Sequence, residues 1–139
     1  MIVLDTNVVS ELRKVRAGKS DVKVARWADG VDAIELYVSA ITILELETGV
    51  LLKERRDPVQ GAILRTWMDN HVLPEFNGRV LPVDTDVARR CARLPVPDPR
   101  GQRDALIAAT ALVHGMTMVT RNLADFEPTG VKLVNPWND

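Results

Sequence analysis

Four acidic residues of the 139-residue chain stand where their carboxylates suit chemistry: Asp5, Glu45, Asp104 and Asp125. Asp5 directly follows the apolar run at 2–4, which predicts a buried strand that ends at this carboxylate. Aspartate is also a favoured N-cap of a following helix, so Asp5 alone has a structural as well as a chemical interpretation. Thr6 and Asn7 beside it are short polar side chains that can orient the carboxylate.

Glu45 lies in a predicted helix over 41–54, at the edge of the apolar stripe expected to be buried. That stripe consists of Ile41, Leu44, Thr48, Leu51 and Leu52. Removing a lone charge from water is costly, so a carboxylate at this margin needs a partner. The partner can be an arginine, which is the structural explanation, or a bound cation, which is the functional one.

Asp104 is in the first turn of a predicted helix over 102–114, and residues 105–113 are apolar apart from Thr110. A helix that is apolar on all sides lies inside a domain. The helix dipole favours an acid in the first turn by roughly 0.3–1 kcal/mol, so structure alone can explain the residue. Arg100 and Arg103 precede it, however, and arginines beside such an acid suit phosphate chemistry.

Asp125 follows a predicted strand over 116–120, and Asn122 lies between them. Either residue can be the fourth ligand of a shared site, with the other in support. Carboxylates gathered at one place raise each other's pKa unless cations neutralise them. Oxygen ligands without histidine or cysteine suit Mg²⁺ or Mn²⁺. One or two such ions, by activating water and stabilising a leaving oxygen, can hydrolyse phosphodiesters.

The elements that must position these acids alternate between short strands and helices. Strands are predicted at 2–4, 36–38, 80–83, 116–120 and 132–134, and helices at about 6–14, 21–28, 41–54, 58–70, 87–94 and 102–114. Strands separated by helices favour parallel pairing, so we expect a three-layer α/β/α sandwich with a mostly parallel central sheet. In such sheets ligands bind at the carboxyl ends of the strands. The length predicts one domain over 1–139, and the prolines at 95–99 predict a rigid loop.

The net charge of −1 gives no sign of a polyanionic partner, but the charge is unevenly distributed. Segment 13–26 has six basic side chains and one acid, and segment 89–103 has five basic side chains and one acid. These stretches can bind a polyanion, or they can be ordinary solvated helix faces. Neither a signal peptide nor an apolar run long enough for a membrane is present, so we expect a cytoplasmic protein without membrane contact.

Four segments resemble the motifs of PIN-domain ribonucleases, and most closely those of VapC and FitB-like toxins. They are Ile2–Leu12, Ser39–Leu46, Asp104–Ala111, and Thr120–Asn122 with Asp125–Phe126. The resemblance implies a metal-dependent endoribonuclease whose acidic cluster is Asp5, Glu45, Asp104 and Asp125. It also implies a homodimer, a cognate antitoxin that inserts a segment into the active-site groove, and operator DNA bound through that antitoxin.

Within this hypothesis, Asp5 and Asp104 hold the main ion, and Glu45 positions a second ion or the attacking water. Asp125 completes the site, with Thr6, Asn7, Thr120 and Asn122 in support. Arg100, Arg103 and Arg121 are the candidates for binding the RNA backbone.

Two other classes of protein share parts of this pattern. A phosphoacceptor receiver domain needs an adjacent acidic pair near Asp5 and a late lysine. The acidic pair is missing, and Lys132 is the only lysine after Lys53. A binding module that keeps the fold without catalysis is the remaining alternative. Metal-dependent turnover separates it from a nuclease.

Overall fold

Five short parallel strands form the central sheet, in the order β3-β2-β1-β4-β5. They are β1 (Ile2–Leu4), β2 (Leu36–Ser39), β3 (Val80–Leu81), β4 (Thr117–Val119) and β5 (Leu133–Val134). This computed structural model describes residues 1–94 and 101–138, so the predicted proline loop at 95–99 and Arg100 lie outside the described residues. Because all the pairings are parallel, the carboxyl ends of the strands share one edge of the sheet.

Eight α-helices connect or flank the strands in the described part of the chain. They are α1 (Thr6–Arg16), α2 (Val22–Asp29), α3 (Ala40–Arg56), α4 (Pro58–Trp67), α5 (Leu73–Glu75), α6 (Thr85–Ala92), α7 (Gly101–Val113) and α8 (Leu123–Phe126). Short 3-10 turns occupy Ala33–Glu35, Glu127–Thr129 and Pro136–Asn138, and a π-helical turn occupies Met68–Val72. None of these helices combines the length and apolar character needed to cross a lipid bilayer.

Helices cover both faces of the sheet, and neighbouring residues of a strand therefore belong to different buried clusters. Val3 and Met118 pack with α6 and α7 in one buried cluster. Leu4 and Val119 pack with α1 and α3 in the other. Side chains alternate between the faces of a strand, so these two clusters are the two interfaces of a three-layer sandwich. The predicted α/β/α class with a parallel sheet is confirmed.

The predicted buried stripe of α3 is wrong. The helix buries Thr42, Leu46 and Val50 instead. Leu44, Leu51 and Leu52, which we expected inside, are about half exposed. The helix has apolar side chains on two faces, so hydrophobicity alone does not select one. The buried face is the one on which Leu46 and Val50 pack with the strand residues of the core and the Thr42 hydroxyl meets that of Thr6.

Several boundaries also differ from the predicted ones. The helix expected to reach 70 ends as α4 at Trp67, and the chain continues through the π-helical turn into α5. Strand β3 stops at Leu81, directly before Pro82, which has no backbone N–H to donate. Helix α8 was not predicted, because four residues are too few to show a helical period.

Candidate active site at the carboxyl edge of the sheet

Asp5 is the first residue after β1 and is only 5% exposed. Its backbone N–H donates to the carbonyl of Val119, so the residue is fixed between two central strands. One carboxylate oxygen accepts from the Thr6 backbone N–H at 2.8 Å. The other accepts from the Thr120 hydroxyl at 2.8 Å and from the Asn7 side-chain amide at 3.3 Å.

These bonds show that Asp5 does more than cap the following helix. It is the N-cap of α1, but its carboxylate bonds the first helical N–H instead of the second or third that a capping side chain usually takes. The remaining bond partners come from Asn7 and the fully buried Thr120. The carboxylate is therefore held both by the start of α1 and by the segment after β4.

Burial is the main cause that raises the pKa of Asp5, and the charges of Glu45 and Asp125 raise it further. The hydrogen bonds from Thr120 and Thr6 act in the opposite direction and lower it. Buried carboxylates ionise reluctantly, and donors that favour the ionised form offset part of that penalty. Asp5 is thus a carboxylate whose charge needs further compensation.

Glu45 lies in α3, close to the carboxyl end of β2, and its side chain is 25% exposed. Its Oε1 accepts a 2.6 Å hydrogen bond from the Thr6 hydroxyl. Its Oε2 is 3.9 Å from the Arg103 guanidinium, which is a loose ion pair. The arginine partner that the structural explanation required is present, but it occupies only one side of the carboxylate.

Asp104 is in the first turn of α7 and is half-buried. Its pKa is raised to about 6, first by burial and then by the charges of Asp5, Glu45 and Asp125. The four predicted acids are therefore close enough to repel one another. In the described part of the chain, however, no three His, Cys, Asp or Glu side chains are already arranged as ligands of one metal ion.

The fourth acidic position involves two exposed residues, Asp125 in α8 and Asn122 directly before that helix. The backbone N–H of Asn122 donates to the Thr120 hydroxyl at 3.0 Å. The charge of Asp125 raises the pKa of both Asp5 and Asp104. Both residues therefore lie near the site, and only Asp125 adds negative charge to it.

The donor set fits a hard divalent cation. Carboxylates from four segments meet here with the hydroxyls of Thr6 and Thr120, and all of these groups offer oxygen. Mg²⁺ and Mn²⁺ prefer such ligands. A cation would also offset the burial and repulsion that raise the pKa values of Asp5 and Asp104.

Sequence reasoning missed three residues at this edge. The hydroxyl of Thr42, a fully buried residue, is 3.3 Å from that of Thr6. Asn135 and Trp137 follow β5 and contact Arg121. The spacing of Thr42, three residues before Glu45 on a helix, was a usable signal, because such residues share a face. For Asn135 and Trp137 the signal was their position just after a predicted strand.

The PIN domain family model matches residues 2–127. The chain belongs to the PIN-domain family. This PIN domain is 40% identical over 142 residues to the VapC ribonuclease Y4jK of Sinorhizobium fredii, with 99% of this chain and 98% of that protein aligned. It is 36% identical over 144 residues to the toxin FitB of Neisseria gonorrhoeae, with both chains fully covered.

Solved structures support the same placement of this PIN domain. The crystal structure of FitAcB from Neisseria gonorrhoeae matches with a TM-score of 0.87 and 35% identity, covering 100% of both chains. A structure of FitAB bound to a DNA fragment matches with a TM-score of 0.83 and 34% identity, over 99% of this chain and 96% of that one. The resemblance to VapC and FitB-like toxins is therefore confirmed, and it supports a place among the toxin–antitoxin PIN nucleases.

Proposed function

We propose that this PIN domain is a metal-dependent endoribonuclease that acts as the toxin of a toxin–antitoxin pair. The observation that supports it most directly is the position of Thr6 between two carboxylates. Its backbone N–H bonds Asp5 and its hydroxyl bonds Glu45. Acids from two segments are thereby held at the carboxyl edge of the sheet, in a chain similar over its whole length to a protein named a ribonuclease.

We assign the metal to Asp5 and Asp104 as the main ligands, with Glu45 holding a second ion or positioning the attacking water. Asp125 is the fourth acid in this assignment, because its charge acts on both main ligands, and Asn122 is the alternative. One or two bound Mg²⁺ or Mn²⁺ ions would supply an activated water and charge stabilisation at the leaving oxygen.

The remaining polar residues orient the acids and bind the substrate. Thr120 and Asn7 hold one oxygen of Asp5, which leaves the carboxylate little rotational freedom. Arg103 and Arg121 are the proposed contacts for RNA phosphates, and Arg103 already lies beside Glu45. Arg100 is assigned the same role from the sequence alone, since it lies outside the described residues.

We further propose that the chain forms a homodimer and is neutralised by a cognate antitoxin, through which it contacts operator DNA. The similar FitAB structure is described as bound to DNA, which supports the last step. The exposed leucines of α3 support a protein partner: Leu44, Leu51 and Leu52 recur at helical spacing, and each is about half exposed. Apolar side chains exposed together on one helix face are typical of a protein interface.

The test is cleavage of total RNA by the purified, antitoxin-free chain with Mg²⁺ or Mn²⁺, with and without EDTA. We expect cleavage by the wild type, loss with EDTA, and loss in Asp104→Asn. Asp86→Asn is the matched control, because Asp86 is likewise an acid in the first turn of a helix, α6, but is exposed. This variant should cleave RNA at the wild-type rate.

Two results would contradict the proposal in different ways. If Asp104→Asn or the EDTA sample cleaved at the wild-type rate, the acidic site would not be the catalytic one. If the folded wild type neither cleaved RNA nor bound metal in calorimetry, the chain would be a non-catalytic module with this fold.

A further inference from the structure

One asparagine connects the segment after β5 to Arg121 through hydrogen bonds of its side chain. The side-chain amide of Asn135 donates to the Arg121 carbonyl at 3.2 Å. Its side-chain oxygen accepts from the Trp137 backbone N–H at 2.9 Å. Both ends of the Asn135 side chain are thus used, and they hold the backbone of Arg121 close to that of Trp137.

The side chains of these two residues also stack. The Arg121 guanidinium carbon lies 5.2 Å from the centroid of the Trp137 ring. Arg121 is exposed, whereas Trp137 is half-buried and packs against the core on the α1 and α3 side of the sheet. The tryptophan is therefore an anchored surface against which a long, flexible arginine is fixed.

The charge of Arg121 remains available to a ligand. Within residues 1–94 and 101–138, no carboxylate forms an ion pair with Arg121, whereas Arg103 lies 3.9 Å from Glu45. Stacking occupies a face of the guanidinium and leaves its N–H groups at the planar edge. Those edge donors match the geometry of a phosphate.

Arg121 is also fixed to the acidic site. Its backbone N–H donates to the side-chain oxygen of Asn7 at 3.4 Å, and the other end of that amide bonds Asp5. Thr120, the preceding residue, bonds Asp5 directly. Two short links therefore connect the Arg121 backbone to the carboxylate that we assign to the metal.

We propose that Arg121, held by Trp137 and Asn135, forms a binding subsite for a phosphate of the RNA chain close to the one that is cleaved. This inference rests on the proposed ribonuclease function. Arg121 is the residue that contacts the phosphate. Trp137 and Asn135 are positioning residues that act through it, by fixing the guanidinium before the RNA arrives and so reducing the conformational entropy lost on binding.

The experiment measures the affinity of the full chain for a fluorescently labelled pool of random-sequence single-stranded RNA by anisotropy, over a range of salt. All proteins contain Asp104→Asn and EDTA is present, so the RNA stays intact. We expect Arg121→Ala to weaken binding roughly tenfold and to lower the slope of log affinity against log salt by about 0.7, which corresponds to one phosphate. Arg55→Ala is the matched control, since Arg55 is exposed near the far end of α3.

Trp137 is tested by its coupling to Arg121. Trp137→Leu should weaken binding about threefold, as expected for loss of a cation–π contact, and Trp137→Phe should stay within about twofold of the protein with Asp104→Asn alone. Added to Arg121→Ala, Trp137→Leu should weaken binding no further, because it acts through the arginine. Asn135→Ala should repeat the effect of Trp137→Leu and gives a second variant if that one does not fold.

An unchanged salt slope in Arg121→Ala would overturn the inference. So would an equal loss from Trp137→Leu in both backgrounds, because the tryptophan would then act on RNA or on the fold independently of the arginine. These failures differ from failure of the proposed function. If the wild type cleaves RNA and Arg121→Ala binds RNA normally, only the subsite proposal is contradicted. If the wild type neither binds nor cleaves RNA, the subsite and the ribonuclease proposals are both contradicted.

Discussion

The Thr6 hydroxyl donates a 2.6 Å hydrogen bond to Glu45 and thereby joins the first turn of α1 to α3. A threonine hydroxyl has one proton, and a carboxylate can only accept. The proton of Thr6 therefore lies in this bond, and the Thr42 hydroxyl, 3.3 Å away, is the donor in its contact with Thr6. The hydroxyls of Thr42 and Thr6 thus form a chain that begins at a buried residue and fixes the side chain of Glu45.

Replacing Thr6 by valine should lower the rate of RNA cleavage. The change removes a hydrogen bond to a charged group, which contributes about 1.5–3 kcal/mol, so we expect a loss of at least roughly tenfold in kcat/KM. Thr6→Ser keeps the hydroxyl and should stay close to the wild type. Equal rates for Thr6→Val and the wild type would show that the Glu45 contact does not contribute to catalysis.

Asp104 should destabilise the metal-free fold near neutral pH. Its pKa is raised from 3.8 to about 6, so the folded state holds the proton more tightly than the unfolded chain does. The stability from this proton is fully present below pH 3.8 and is lost as the pH rises through about 6. In EDTA, urea unfolding should therefore show Asp104→Asn to be more stable than the wild type at neutral pH, with the difference shrinking toward pH 4. A constant difference across this range would contradict the assigned cause.

Two acids of this site could be predicted from sequence, because each stands at one end of an element with a clear apolar pattern. Asp5 ends a short apolar run, and Asp104 begins an apolar helix; parallel topology then brings such positions to one edge. The buried face of α3 could not be predicted in this way. The face with Leu44, Leu51 and Leu52 and the face with Thr42 are both apolar enough to be buried when the helix is considered alone. The choice depends on hydrogen bonds and packing with distant segments.

The contact between Arg121 and Trp137 could not be predicted from the sequence for a different reason. The two residues lie on separate strand ends, and no periodic pattern relates them. The side-chain amide of Asn135 bonds both backbones and brings them together. Such a link between residues on two strand ends depends on the folded sheet, which the sequence pattern does not show.

Metal binding should weaken as the pH falls through about 6, because Asp104 must lose its proton before its carboxylate can hold a cation. Calorimetry with Mn²⁺ and the RNA-free wild type should show an affinity that declines below this pH. Asp86→Asn again serves as the control and should follow the wild-type profile. A pH-independent affinity between pH 5 and pH 7 would remove Asp104 from the proposed ligand set.

Gly61 of α4 lies directly against the backbone of α3, so Gly61→Ala should destabilise the fold. A Cβ at this position would overlap the Glu54 Cα and lie 2.8 Å from its backbone nitrogen, and neither atom can move without shifting α3. We expect a loss of about 1–3 kcal/mol in the free energy of unfolding measured in urea. Gly49→Ala is the matched control, because Gly49 lies within α3 and, apart from the backbone of that helix, no atom would lie within 4 Å of the added Cβ. That change should stabilise the protein by about 0.5–1 kcal/mol, since alanine favours a helix. If the two variants changed stability equally, the close packing of the two helices would not require glycine at position 61.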